Sequence, residues 1–243
     1  MSEPRTNPAL ALIGHGKMGR AVEQLALARG FDVRLIVTGD LSRAAGFDPE
    51  KLKGVQVAVD FTHPGAVLEN VRRVAGAGCN LVVGTTGWGD QLGEVRGILG
   101  DAQVGMVYGP NFSLGAQLFF KLAEAAAGVF AGFPMYEPYI TETHHRFKKD
   151  APSGTALELK RRIQPAFGDR DIAVGSIRAG YVPGTHELGF DSEADTVILR
   201  HTARGRLAFA EGALYAARWV VGKKGLFTFA DLFASKAMEE TSS

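Results

Sequence analysis

At 243 residues with 46% hydrophobic side chains, the chain can build one large or two modest domains with proper cores. Lysine and arginine number 27 against 26 acidic residues, a balance that excludes a whole-protein nucleic-acid binder or an acidic tail. One cysteine, Cys79, rules out an internal disulfide, no Cys/His spacing marks a zinc site, and no apolar run approaches the ~20 residues of a membrane span, so a soluble cytoplasmic protein with no metal is expected.

Leu10 to Ile13 reads as a short buried strand, followed at once by Gly14-His15-Gly16-Lys17-Met18-Gly19 and a helical segment from Arg20 to Arg29. Strand, GxGxxG and helix in that order form the dinucleotide fingerprint. Its first glycine permits the tight turn, the second admits a pyrophosphate to the backbone, and the third lets helix pack against strand. A second strand, Val33 to Val37, ends at Thr38-Gly39-Asp40. A neutral Thr38 at the ribose position, with Lys17 and Arg43 near the expected phosphate, favours NADPH, with NADH tolerated.

Val55 to Phe61 is a third strand, apolar enough to be covered on both faces, ending in Asp60-Phe61-Thr62-His63-Pro64. A helix follows from Ala66 to Ala77. Leu81 to Val83 gives a fourth strand with the turn Gly84-Thr85-Thr86-Gly87, and Val104 to Tyr108 a fifth, with Gly109-Pro110-Asn111-Phe112-Ser113 after it. In a parallel sheet such strand ends line the ligand crevice.

From Ser113 the pattern changes. Leu114 to Phe130 is a long helix whose Phe119 and Phe120 read as core. The strands Tyr136 to Thr143, Ala173 to Arg178 and Thr196 to His201 then surround a single helix, Gly154 to Ile163, as in an α+β domain with a mixed or antiparallel sheet. Leu207 to Val220 is helical again. The expected fold is therefore α/β: a Rossmann-like, doubly wound parallel sheet from residues 1–112 and 213–243, with residues 113–212 forming a C-terminal α+β domain for substrate and oligomerisation.

The densest chemistry lies between Glu142 and Ala156, ETHHRFKKDAPSGTA. His144 and His145 are neighbours on an extended chain and point to opposite faces, so they can hold different jobs. Ser153 is a good N-cap for the following helix, whose start offers free N–H groups to a carboxylate or phosphate. With Lys148 arriving at the same place, the segment makes a cationic cup for a small anion that exchanges protons.

This run resembles the signature of the 4-hydroxy-tetrahydrodipicolinate reductase (dihydrodipicolinate reductase) family of the diaminopimelate and lysine route: an acidic residue, His-His, a Lys and Asp-x-Pro-Ser-Gly-Thr-Ala. The Asp-Phe-Thr-x-Pro, Gly-Thr-Thr-Gly and Asn-Phe-Ser segments match in the same order. The glycine loop is one residue shorter than the family's common form, and His63 stands where many members carry Arg or Lys.

The resemblance implies an NAD(P)H-dependent oxidoreductase acting on a cyclic dicarboxylate with a C=N bond, and a homotetramer. It assigns His144 and Lys148 as the acid–base pair and Lys148 as the better proton donor. His145 and the Ser153-Gly154-Thr155 backbone become holders of the substrate carboxylates. Gly14, His15, Gly16, Lys17, Met18, Gly19, Thr38, Gly84, Thr85, Thr86, Gly109, Pro110, Asn111 and Phe112 become cofactor-binding. It gives a second wall of the substrate site to Arg178 through Thr185, followed by His186 and Glu187. Two rival readings are another two-domain NAD(P)-dependent oxidoreductase of amino-acid metabolism and a non-catalytic NAD(P)-sensing module.

Overall fold

The computed structural model describes residues 7–38 and 47–233. They fall into two compact units, one made from Met1–Ser113 with Arg206–Ser243, the other from Leu114–Gly205. Gly39, Asp40, Arg43 and the terminal segment from Glu239 lie outside the described residues.

The first unit begins with β1 (Ala9–Ile13), α1 (Lys17–Ala26) and β2 (Asp32–Val37). The helix starts earlier than the sequence pattern predicts because Gly16 is its N-cap, and it stops short of Arg29, where a 3-10 turn (Leu27–Arg29) leads to Gly30 in the left-handed region. Next come β3 (Val57–Asp60), α2 (Pro64–Gly76), β4 (Asn80–Val83), α3 (Leu92–Ala102) and β5 (Gly105–Tyr108). The six-stranded sheet has the order β2-β1-β3-β4-β5 and then a last strand, Gly225–Thr228, every neighbouring pair being parallel. Its central strands are buried on both faces, as their unbroken apolar runs require.

The second unit holds α4 (Leu114–Phe130), β6 (Glu137–His144), α5 (Gly154–Phe167), β7 (Ala173–Arg178), β8 (Thr185–Asp191) and β9 (Thr196–Thr202). Its sheet runs β7-β6-β8-β9, with β6 and β7 parallel around the α5 crossover and the other two pairs antiparallel. The sheet is thus mixed. The stretch read as a wall of the site from Thr185 onward is a strand, and α5 continues past Ile163 through Pro165 to Phe167. Phe119, Phe120, Ile140, Leu159, Ile163, Leu188 and Phe190 fill the core between the helices and one face of this sheet.

The chain closes with α6 (Leu207–Val220) and β10 (Gly225–Thr228), back in the first unit. A domain boundary at residue 213 falls inside α6. The division lies instead between Gly205 and Arg206, where the loop before the helix allows it.

Candidate active site

The strand order of the first unit reverses beside β1: β2 lies on one side of it, β3 on the other. Such a switch point opens a crevice at the carboxyl ends of the strands. The glycines there carry distinct burdens. Gly14 has φ +88, and a Cβ on it would lie 2.6 Å from the Phe61 carbonyl oxygen; one on Gly19 would lie 2.1 Å from the Gly14 carbonyl oxygen. Gly16 meets nothing within 4 Å. The first and third are demanded by packing, whereas the second faces open space at the start of α1, a helix with no acidic residue in its first turn and no side-chain cap. That combination fits a pyrophosphate.

The other residues expected at the cofactor divide in the same way. Lys17 and Thr38 are exposed. Met18 is half-buried, and His15 Nε2 is 2.7 Å from Glu23 Oε2 on α1. Thr85 is buried with its hydroxyl accepting from the Thr62 amide at 2.9 Å, while Asp60, also buried, gathers the Thr62 amide, the Thr62 and Thr85 hydroxyls and the Asn70 amide. Burial raises the Asp60 pKa and those hydrogen bonds oppose the rise. The Thr85 hydroxyl therefore ties two strand ends together, and Thr86 beyond it is exposed. A Cβ on Gly84 would overlap the Phe61 ring, one on Gly109 would touch Phe229, and Phe112 packs between Phe61 and Phe229. Pro110 is exposed and Asn111 half-buried, its side chain accepting from the Ser113 amide.

In the second unit the period-two alternation of β6 lays Ile140, Glu142 and His144 on its inner face. Register places Ser176 of β7 and His186 of β8 opposite Glu142, and Arg178 opposite His144. Glu142 is buried, and donors from Arg178, Ser153, Ser176 and His144 converge on it. Arg178 Nη2 donates to Oε1 at 2.6 Å and Nη1 to Oε2 at 2.9 Å; the Ser153 amide donates to Oε1 at 3.2 Å; His144 Nδ1 lies in contact with Oε2. Burial alone would raise this carboxyl, but the hydrogen bonds from Arg178, Ser176 and His144 hold it down at about 2.

Ser153 caps α5 by accepting from the Ala156 amide, and its hydroxyl also meets His186 Nε2 at 2.9 Å. His186 is buried beside His144, ring centroids 5.0 Å apart, with Nδ1 unpartnered. Burial and then the neighbouring His144 push its pKa down to about 4. Glu142, His144 and His186 bring ligand atoms within 4.8 Å of one another, a spacing a metal ion can use. Arg178 already occupies both carboxylate oxygens, His144 binds one of them, and Ser153 links Glu142 to His186, so the three side chains belong to one hydrogen-bonded network.

Lys148 Nζ is 2.8 Å from Asp150 Oδ1, and the Asp150 carboxylate also takes a hydrogen bond from the Gly154 amide. Gly154 is exposed and Thr155 half-buried, both on the open first turn of α5. His145 lies apart from this network: it is exposed, with its ring 6.0 Å from Phe147. Sequence reasoning gave Glu142 no role and read Arg178, Gly184 and His186 only as a wall. The alternation of His186, Leu188 and Phe190 was the available signal for a strand bringing a second histidine inward.

The model of "Dihydrodipicolinate reductase, N-terminus" matches residues 9–112, and that of "Dihydrodipicolinate reductase, C-terminus" matches residues 115–233. The chain is 34% identical to the 4-hydroxy-tetrahydrodipicolinate reductase of Christiangramia forsetii over 93% of its own length and 97% of the relative's. It is 40% identical to that of Methanopyrus kandleri over 79% and 76%. A solved structure, the dipicolinate-bound dihydrodipicolinate reductase from Paenisporosarcina sp. TG-14, shares the fold with a TM-score of 0.77 at 23% identity, covering 91% of this chain and 97% of the other. With both halves matched and a relative aligned along nearly its whole length, this chain belongs to the dihydrodipicolinate reductase family.

Proposed function

We propose that the chain reduces 4-hydroxy-tetrahydrodipicolinate to tetrahydrodipicolinate, with loss of water, at the expense of NADPH or NADH. The observation that carries this reading is the convergence of His144, Glu142, Arg178 and His186 beside the open start of α5, in a chain of this family. The first unit, 1–113 with 206–243, holds the cofactor, and the second, 114–205, holds the substrate. A neutral Thr38 and the exposed Lys17 favour NADPH. The protein acts in the cytoplasm as a homotetramer. Ile177 and Ile198, 54% and 48% exposed on the sheet face away from the helices, support assembly through that face.

The backbone of Gly16 and the start of α1 would hold the pyrophosphate, and the turns after β4 and β5 would border the nicotinamide. A reduced nicotinamide bound there supplies the hydride. The first-turn amides of Gly154 and Thr155 receive a substrate carboxylate, with His145 at its edge. Substrate arrival requires the Asp150 carboxylate to yield the Lys148 ammonium and the Gly154 amide, since both already serve it. His144 Nε2 takes the ring C–H proton and returns it to the departing hydroxyl, which leaves as water; the hydride then adds to the conjugated ring, and Lys148 donates the proton that neutralises the charge built up there. Cys79 takes no part: it is buried and its thiol donates to the Val55 carbonyl at 3.0 Å, and burial raises its pKa.

The test is cofactor oxidation with enzymatically generated hydroxy-tetrahydrodipicolinate, NADH and NADPH compared side by side. His144→Gln and Lys148→Ala should each lower kcat at least about a hundredfold while cofactor affinity stays within about twofold. Unchanged turnover in both variants refutes the roles, and absence of cofactor oxidation in the unmodified chain refutes the reaction.

A further inference from the structure

We propose that Glu142 and Arg178 are positioning residues for His144, fixing its Nδ1–H tautomer so that Nε2 is the one atom of this imidazole that exchanges a proton with substrate. The proposal deepens the reading above and rests on His144 being a proton-exchanging group.

A carboxylate that has lost its proton can only accept hydrogen bonds. The Glu142 side chain has no solvent exposure; its other partners are the two guanidinium nitrogens of Arg178 and the Ser153 amide, which can only donate, and the Ser176 hydroxyl, whose hydrogen bond lowers the Glu142 pKa and so is donated to the carboxylate. Nothing in this shell needs a proton from Glu142, and the bidentate guanidinium holds it ionised. The atom of His144 that touches Oε2 is Nδ1, so Nδ1 must carry the hydrogen. In a neutral imidazole Nε2 is then bare.

Nε2 stands beside Gly184, where a Cβ would come within 2.8 Å of it, so the position next to the reactive nitrogen is kept clear of side chain. The groups facing the ring are Glu142 on its own strand, Arg178 on β7, His186 on β8, and Lys148 in the loop after β6. Burial comes first in lowering the His144 pKa, and Lys148 and Arg178 add to it, while Glu142 works the other way. The resting ring is therefore neutral at pH 7, with Nε2 ready to accept. Hydrogen-bonded partners of this kind orient imidazoles at many functional sites, and their loss weakens function without removing the reacting group.

The experiment uses the full chain labelled with nitrogen-15. Long-range proton–nitrogen correlations at pH 7, assigned by the signal lost in His144→Gln, should show His144 as the Nδ1–H tautomer with an unprotonated Nε2. Glu142→Gln keeps an acceptor for Nδ1–H but removes the charge. It should lower kcat at least tenfold, leave KM for the reduced cofactor within twofold, and move the acid limb of the kcat profile to lower pH, because the charge that favours imidazolium is gone. A purely structural loss would cut the active fraction and leave the profile in place. An Nε2–H tautomer in the unmodified chain, or a Glu142→Gln enzyme with the original profile, overturns the proposal. If that variant does not fold, the tautomer measured in the unmodified chain decides. The tautomer is read without substrate, so a failure of the assigned reaction is seen separately, as absence of cofactor oxidation.

Discussion

A methyl group placed on Gly184 would lie 2.8 Å from Nε2 of His144 and 3.0 Å from its Cδ2, the atoms on the side of the ring turned away from Glu142. Gly184 has no left-handed φ, so alanine there meets no left-handed strain and acts by pushing the ring. Gly184→Ala should keep the fold, with a Tm within about 3 °C. It should lower kcat roughly ten- to hundredfold, because small displacements of a proton-transfer group are costly. Steady-state kinetics beside a melting curve separates the two effects; an unimpaired kcat would mean that the ring does not act from this position.

Arg178 and Glu142 form an ion pair with side-chain exposures of 18% and 0%. Arg178→Ala strands a buried carboxylate and should cost about 3–5 kcal/mol of stability. Replacing both partners, with Arg178→Met and Glu142→Leu, should recover much of that stability and none of the activity, since the support of His144 is lost in either case. Denaturant melts of the single and double variants, read beside turnover, check both halves.

The same network sets the response to acid. Glu142 is held at about 2 against an ordinary 4.5, so the unfolded chain takes up the proton first; the contribution is complete above pH 4.5 and is lost as pH falls toward 2. His186 sits at about 4 against 6.5, so the unfolded chain again binds the proton first, and stability drains between pH 6.5 and 4. At pH 5, His186 alone accounts for about 2 kcal/mol, or roughly 4–8 °C in Tm for a chain of this size. His186→Gln should flatten the Tm profile between pH 6.5 and 4 and leave the steeper fall below pH 4.5. A Tm that does not change between pH 7 and 5 in the unmodified protein contradicts this.

Much of the fold was legible because its elements obey short-range rules. The apolar runs of β1, β3, β4 and β5 and the glycine fingerprint between β1 and α1 are local signals, and both ends of α4 follow from composition. What escaped had conflicting signals. Gly93, Gly97 and Gly100 lower the helical propensity of α3, which buries only Val95 and Leu99. β8 carries Gly189, an unfavourable strand residue, because the Tyr139 ring of the neighbouring strand occupies the place of its side chain. In the site, the cluster from His144 to Thr155 was visible as one segment. The roles of Arg178, Gly184 and His186 needed the β6–β7 and β6–β8 registers, which pair residues more than thirty positions apart and which no local pattern encodes.

Gly16 and Gly19 lie three residues apart where β1 turns into α1 and should fail in opposite ways. Alanine suits a helix interior better than glycine by about 1 kcal/mol, so Gly19→Ala would be stabilising if space allowed. The new methyl would instead lie 2.1 Å from the Gly14 carbonyl oxygen, a backbone atom locked beside Phe61 at the end of β1. Separating β1 and α1 to relieve that overlap should leave the variant at least about 2 kcal/mol less stable, with a visibly lower Tm. At Gly16 a methyl group meets nothing, and losing a glycine N-cap costs at most about 1 kcal/mol. Gly16→Ala should therefore melt close to the unmodified protein. Its methyl would, however, stand where the proposed pyrophosphate site meets the backbone, and the Kd for NADPH should rise about tenfold. Calorimetric titration of the two variants beside their melting curves distinguishes the roles. A Gly16→Ala protein that binds NADPH as tightly as the unmodified chain would remove the pyrophosphate from this loop.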